Sequence, residues 1–171
     1  LLHGKGSNGK SLFLNTLRYV LGDYAHSTTF ALFDYAARQD HSQNLAQLDL
    51  RRFVTASESA ENCRLNEDRL KALAGSEPIT ARLMRENDRT FTNTVKLWLG
   101  VNHRPRVLDD SDGFWRKARL VPFNHRFALP EELEARPELH DDPHVSSADR
   151  NLEAALKAEA PGILRWAVQG A

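Results

Sequence analysis

The sequence predicts an α/β layered domain. Three observations carry this. Short β-type apolar runs alternate with segments of helical period. A glycine-rich stretch near the start joins an apolar pair to an amphipathic run, which is a strand–loop–helix order. A polar "ENDR" turn separates two β-prone stretches, which reads as a hairpin leading into a central strand.

The elements follow in order. Leu1-Leu2 are the stub of a central strand, cut on its amino-terminal side, so the chain is expected to be a fragment. Ser11 to Leu21 places Leu12, Leu14, Leu17, Val20 and Leu21 at helical spacing, and Gly22 stops the run. "RFVTASE" (Arg52–Glu58) is a β-type run ending in an acid. "CRLNEDRLKALAG" is a helix with Asn66 as N-cap, Glu67 and Asp68 in the first turn, and Gly75 as terminator. "ITARLMR" and "RTFTNTVKLWLGVN" form the hairpin and the central strand, with Trp98 in the core. "ARLVPF" (Ala118–Phe123) is a further strand. Phe127 to Val145 is acidic and proline-dotted and reads as a loop or mobile linker. The tail reads as a helix, a Pro-Gly break and a second short helix.

Bulk composition excludes more than it assigns. The 171 residues carry 41% hydrophobic and 27% charged side chains, ordinary for a globular protein. Net charge is zero, so nucleic-acid binding would have to use a local basic patch. Cys63 is the single cysteine, which rules out an internal disulfide and points to a reducing, cytoplasmic compartment. No apolar run reaches the ~20 residues of a membrane span. His140 and His144 sit at helical spacing in an acidic loop, where chance is a better explanation than zinc.

The chemistry is concentrated in a few places. Gly4, Lys5, Gly6, Ser7, Asn8, Gly9, Lys10 and Ser11 fit G-x-x-x-x-G-K-[ST] in full. Such a loop curls backbone N–H groups around phosphate oxygens. Lys10 would reach the β and γ phosphates and Ser11 would hold Mg²⁺. The expected ligands of the loop are therefore a nucleoside triphosphate and Mg²⁺, with ATP the nucleotide that the resemblance described below implies. Glu58 ends an apolar strand, where a carboxylate can orient Mg²⁺ or polarise the attacking water. Ser57 precedes it, a position where many such ATPases carry a second acid. Asn102 ends "KLWLGVN" and could position the water, touch the γ-phosphate, or simply open the following turn. Between Thr80 and Arg106, six cations (Arg82, Arg85, Arg89, Lys96, Arg104, Arg106) face only Glu86 and Asp88. Arg85 and Arg89 flank the turn, where they would either track phosphates or pair with those acids.

Together these residues resemble a family. "GKGSNGKS", "RFVTASE", "LKALAGSEPITARLMRENDRTFTNTVKLWLGVNHRP" and "GFWRKARLVPF", in this order, resemble superfamily 3 helicases. They are most similar to the C-terminal ATPase domain of phage and plasmid primase-helicases, related to the poxvirus primase-helicase. The likeness runs from Leu1 to Phe127, and the trailing helices also look like the family's. It implies a P-loop NTPase with a modified AAA+ core. It further implies a hexameric ring of identical subunits that moves 3′ to 5′ on single-stranded DNA. A primase module or other replication proteins would be partners, in a bacterial host or as part of a phage or plasmid replicon.

Residue by residue, the resemblance makes Gly4–Ser11 the Walker A loop, Lys10 and Glu58 catalytic, and Asn102 the third-motif sensor. Ser11 and Glu58 would hold the metal. Lys71, Arg82, Arg85 and Arg89 would contact DNA, the last two from a hairpin projecting into the channel. Arg116 would reach the neighbouring subunit's ATP, with Arg119 in reserve. The family often has two arginines after the tryptophan, whereas this chain has Arg116-Lys117, and lysine lacks the planar fork. Trp115 would pack at the subunit interface or in the core. The organisation expected is an ATPase core over 1–127, an acidic linker over 128–147, and C-terminal helices of the same domain over 148–171. Two other readings fit the loop: a small-molecule kinase, which would use "GFWRKAR" as a lid, and a non-helicase AAA+ module.

Overall fold

The computed structural model describes residues 1–36, 42–57, 64–103 and 112–170, without the side chains of residues 112, 113 and 115. Its elements are β1 (Leu2–His3), α1 (Lys10–Leu21), β2 (Ala25–Ser27), α2 (Ser42–Ala46), β3 (Phe53–Ser57), α3 (Glu67–Leu73), β4 (Ile79–Ala81), β5 (Arg89–Phe91) and β6 (Lys96–Val101). They continue as α4 (Asp112–Lys117), β7 (Val121–Pro122), β8 (Arg126–Ala128), α5 (Pro130–Ala135), β9 (Val145–Ser147), α6 (Leu152–Ala158) and α7 (Ala160–Gln169).

Five strands form a parallel sheet in the order β2-β3-β6-β1-β7. A parallel sheet must be covered on both faces, and alternation along the strands achieves it. Val54, Ala56, Leu99 and Val101 point into one cluster with Leu32, Phe33, Leu48, Leu65, Leu73 and Phe114. Leu2 and Phe53 point the other way and pack with Leu14, and with Phe13, Leu17, Leu21, Trp98 and Phe123 around them. The apolar stripe on α1 is therefore what holds that helix across the sheet. Trp98 is half-buried rather than fully in the core; its ring lies 5.5 Å from Phe53 and 5.9 Å from Phe13.

The predicted helices appear where their caps placed them. Gly22 closes α1, and Asn66 caps α3 by accepting from the Arg69 N–H at 3.0 Å. The strand read over Ala118–Phe123 shrinks to Val121–Pro122. The hairpin is shorter too: β4 and β5 pair only from Ile79–Phe91 to Ala81–Arg89, so Arg82 and Arg85 lie in the connection.

The segment read as a loop or mobile linker is ordered structure. It contains α5, a 3-10 turn over Pro137–Asp141, and β9, which pairs in parallel with β8. Buried Ala128 and Leu133 anchor it, and Arg126 pairs with Glu132. The acidic surface residues concealed these anchors in the sequence. In the tail, the break falls at Glu159. Pro161 sits in the first turn of α7, where its missing N–H costs nothing, so it starts the second helix instead of separating the two. Both tail helices pack against α1, and Lys157 lies 5.6 Å from the Tyr19 ring centroid.

Candidate functional site

Register brings three strand ends together. His3 pairs with Val101, and Ser57 pairs with Gly100. Gly4, Asn102 and Ser57 therefore lie at the carboxyl ends of adjacent parallel strands, at one edge of the sheet. Ligands of open parallel sheets bind at that edge. Asn102 is exposed there. Glu58 and Cys63, with Arg104 and Arg106, lie outside the described residues.

The loop from Gly4 to Ser11 is tightly built. The Gly4 N–H donates to the Val101 carbonyl at 3.2 Å. A Cβ on Gly4 would meet the Phe123 carbonyl oxygen at 2.2 Å, so only glycine allows this approach. Ser7 and Gly9 take left-handed backbone conformations, with φ of 59° and 82°. These turns swing the chain round into α1, which begins at Lys10. The N-cap is Gly9, which offers no side-chain cap, and the first turn carries no acid. The leading N–H groups of α1 and its positive dipole end are thus suited to an anion.

Asn8 and Lys10 are both buried inside the loop, at 7% and 6% exposure. The Lys10 ammonium donates to the Gly4 carbonyl and to Asn8 Oδ1, the latter at 2.9 Å. Asn8 Nδ2 donates to the Phe123 carbonyl at 2.9 Å. Burial lowers the Lys10 pKa from its ordinary value. A phosphate would be an anionic partner for the Lys10 ammonium, offsetting the solvation lost on burial. The donor set, uncapped helix end and buried cation fit a phosphate group, such as a nucleoside triphosphate would present. The Ser11 hydroxyl opens α1 beside Lys10, where it would hold Mg²⁺.

The remaining expected residues divide. Arg116 is exposed on α4, which is fixed to the domain by buried Phe114 and by a Lys117 ammonium bond to the Lys71 carbonyl at 3.3 Å. Arg119 is also exposed, and its carbonyl accepts from the Leu1 amino group. Lys71 lines an apolar groove of about 470 Å³ between α3, α4 and β6, whose lining includes none of the hairpin arginines. Arg85 is exposed at the hairpin tip with φ of 65°, beside Met84 at 71% exposure. Arg89 pairs at 3.4 Å with Asp49, an acid far off in sequence, and not with Glu86 or Asp88 as the local pattern allowed. Its guanidinium also donates to the Ala46 carbonyl at 3.1 Å. The Arg82 backbone N–H donates to Ser42 Oγ at 2.9 Å, so α2 braces the hairpin.

Sequence reasoning missed Asn93. It is buried, and its amide donates to the carbonyls of Leu73 at 2.9 Å and Gly75 at 2.8 Å while Oδ1 accepts from the Val95 N–H. It ties the end of α3 to the start of β6. A polar residue inside a β-prone run was the available signal.

Residues 2–119 match a family described as a family of unknown function (DUF5906). The chain belongs to the DUF5906 family. Among relatives of this DUF5906 chain, a protein of Acanthamoeba polyphaga mimivirus named as a helicase is 30% identical over 134 residues. That match covers 77% of this chain and 14% of the relative. A protein of African swine fever virus named as a primase is 26% identical over 160 residues, covering 90% of this chain and 16% of the relative. The chain thus spans about one-seventh of the length of these relatives. Its fold is similar to that of the apo C-terminal region of NrS-1, with a TM-score of 0.65 at 14% identity. The match covers 96% of this chain and 35% of that one. Among the described residues no helix is long and apolar enough to cross a membrane.

Proposed function

We propose that this domain is the ATP-hydrolysing motor part of a replication primase-helicase, of the superfamily 3 type on a modified AAA+ core. The observation that carries the reading is the loop itself: a buried Lys10 inside a glycine turn, opening an uncapped helix at the carboxyl edge of a parallel sheet. The helicase and primase names of the viral relatives support the replication context.

In this reading Gly6, Gly9, Lys10 and Ser11 hold the triphosphate, with Gly4 and Asn8 keeping the loop in shape. Mg²⁺, held through Ser11 and Glu58, would offset charge on the phosphates. Glu58 follows the last residue of β3 and takes the proton of the attacking water. Asn102, one strand closer to the loop, fixes the direction of that water. Arg116 is exposed on a helix tied to the core, so it can reach a neighbouring subunit's nucleotide in a hexameric ring. The β4–β5 hairpin presents Arg85 to single-stranded DNA. Arg89, tied to Asp49, acts more as a brace than as a free phosphate contact. Arg82 shares the connection, and Lys71 is the weakest member of the proposed DNA set because it lines a separate groove.

Titration calorimetry with MgATP tests the site. Lys10→Ala should abolish binding. Glu58→Gln should bind but not turn over. Unchanged ATP affinity in Lys10→Ala would remove the loop from the mechanism.

A further inference from the structure

The loop does not stand alone. Its outer wall is β8, and the contact is aromatic. The Phe127 N–H donates to the Ser7 carbonyl at 2.7 Å. A Cβ on Gly9 would lie 3.8 Å from the Phe127 ring, in ordinary contact. Yet Phe127 remains 39% exposed, while its neighbour Ala128 is fully buried.

The ring is held from behind. His125 meets it edge-on, with centroids 5.2 Å apart and planes at 60°. The His125 imidazole is itself fixed by a 2.8 Å hydrogen bond to Ser146 Oγ. Pairing of β8 with β9, and Arg126 N–H donation to the His144 carbonyl at 2.8 Å, keep the backbone in place. An exposed, immobilised aromatic ring is therefore built against the turn expected to hold phosphates. A solvent-exposed phenylalanine offers water nothing, whereas a nucleobase has a flat π face that stacks well on such a ring.

We propose that Phe127, backed by His125, is the stacking platform for the base of the nucleoside triphosphate bound at the loop. This rests on the loop being a triphosphate site. Phosphate groups would bind through Gly6–Ser11 and the base through Phe127, so the site prefers a nucleotide to a bare polyphosphate. Stacking reads little of the base's hydrogen-bonding edge, so purines as a class would bind best.

The test compares MgATP with magnesium tripolyphosphate by calorimetry, on wild type and on Phe127→Ala, Phe127→Leu and Phe127→Trp. Circular dichroism checks that each variant is folded. ATP affinity should fall about 5- to 100-fold in Phe127→Ala and Phe127→Leu and persist in Phe127→Trp, with tripolyphosphate affinity unchanged throughout. Rescue by leucine would show that Phe127 only packs, and would overturn the proposal. So would equal losses for ATP and tripolyphosphate, or no loss for either. If wild type binds neither, or if Lys10→Ala binds both as well as wild type does, the loop reading fails and the platform fails with it.

Discussion

The side-chain amide of Asn8 donates to the backbone carbonyl of Phe123 at 2.9 Å, 115 residues away in the chain. With the Phe127 N–H bonded to the Ser7 carbonyl, this pins the glycine loop to the segment after β7. Asn8 also accepts from Lys10, so one side chain sets both the loop's position and the ammonium's. Asn8→Ala leaves the Phe123 carbonyl and Lys10 each short of a partner. We expect a stability loss of about 1–3 kcal/mol in urea denaturation and weaker ATP binding. A variant with wild-type stability and affinity would contradict the bridge.

Gly4 and Gly6 make a matched pair. A Cβ at Gly4 collides with backbone at 2.2 Å, whereas nothing lies within 4 Å of one at Gly6. Backbone cannot step aside as a flexible side chain can. Gly4→Ala should lower the thermal midpoint by several degrees and abolish ATP binding, since the loop must move away from Phe123. Gly6→Ala should be as stable as wild type. Equal stability of the two variants would contradict the packing described for Gly4.

Asn93 is a stability residue before the amino end of β6, away from the carboxyl edge of the sheet. Asn93→Ala leaves the carbonyls at the end of α3 without their shared donor. The expected cost is about 2–4 kcal/mol. ATP affinity of the folded fraction should be unchanged. Loss of ATP affinity without loss of stability would contradict this role.

His26 gives the pH dependence. Burial, then the charges of Arg51 and Arg18, lower its pKa below the ordinary 6.5, against an opposing hydrogen bond with Gln47. The unfolded chain then binds a proton that the folded chain refuses. Stability therefore falls as pH drops below about 6.5 and stops falling, for this group, below the lowered pKa. His26→Leu should flatten that part of the stability–pH curve. Parallel curves for wild type and variant would contradict the assignment.

Much of this was legible in the sequence because it is local. The loop needs its glycines, lysine and serine at fixed spacing, and α1 and α3 announce their caps. What was not legible depends on long-range contact. Arg89 was read against Glu86 and Asp88, but folding brings Asp49 to it. The Phe127–Val145 segment was read from its acids and prolines, yet Ala128 and Leu133 bury themselves and fold it. The position of Phe127 against the loop and the bridge made by Asn93 appear only once β8 lies beside the loop and α3 beside β6.

In the proposed motor, ATP turnover needs a neighbouring subunit and responds to DNA. The direct measurement is the ATPase rate against protein concentration, with and without single-stranded DNA, for wild type and Arg116→Ala. The rate per subunit should rise with concentration and with DNA. Arg116→Ala should still bind ATP but lose about 10³-fold or more in turnover. A rate per subunit independent of concentration, indifferent to DNA and unaltered in Arg116→Ala would exclude the proposed motor.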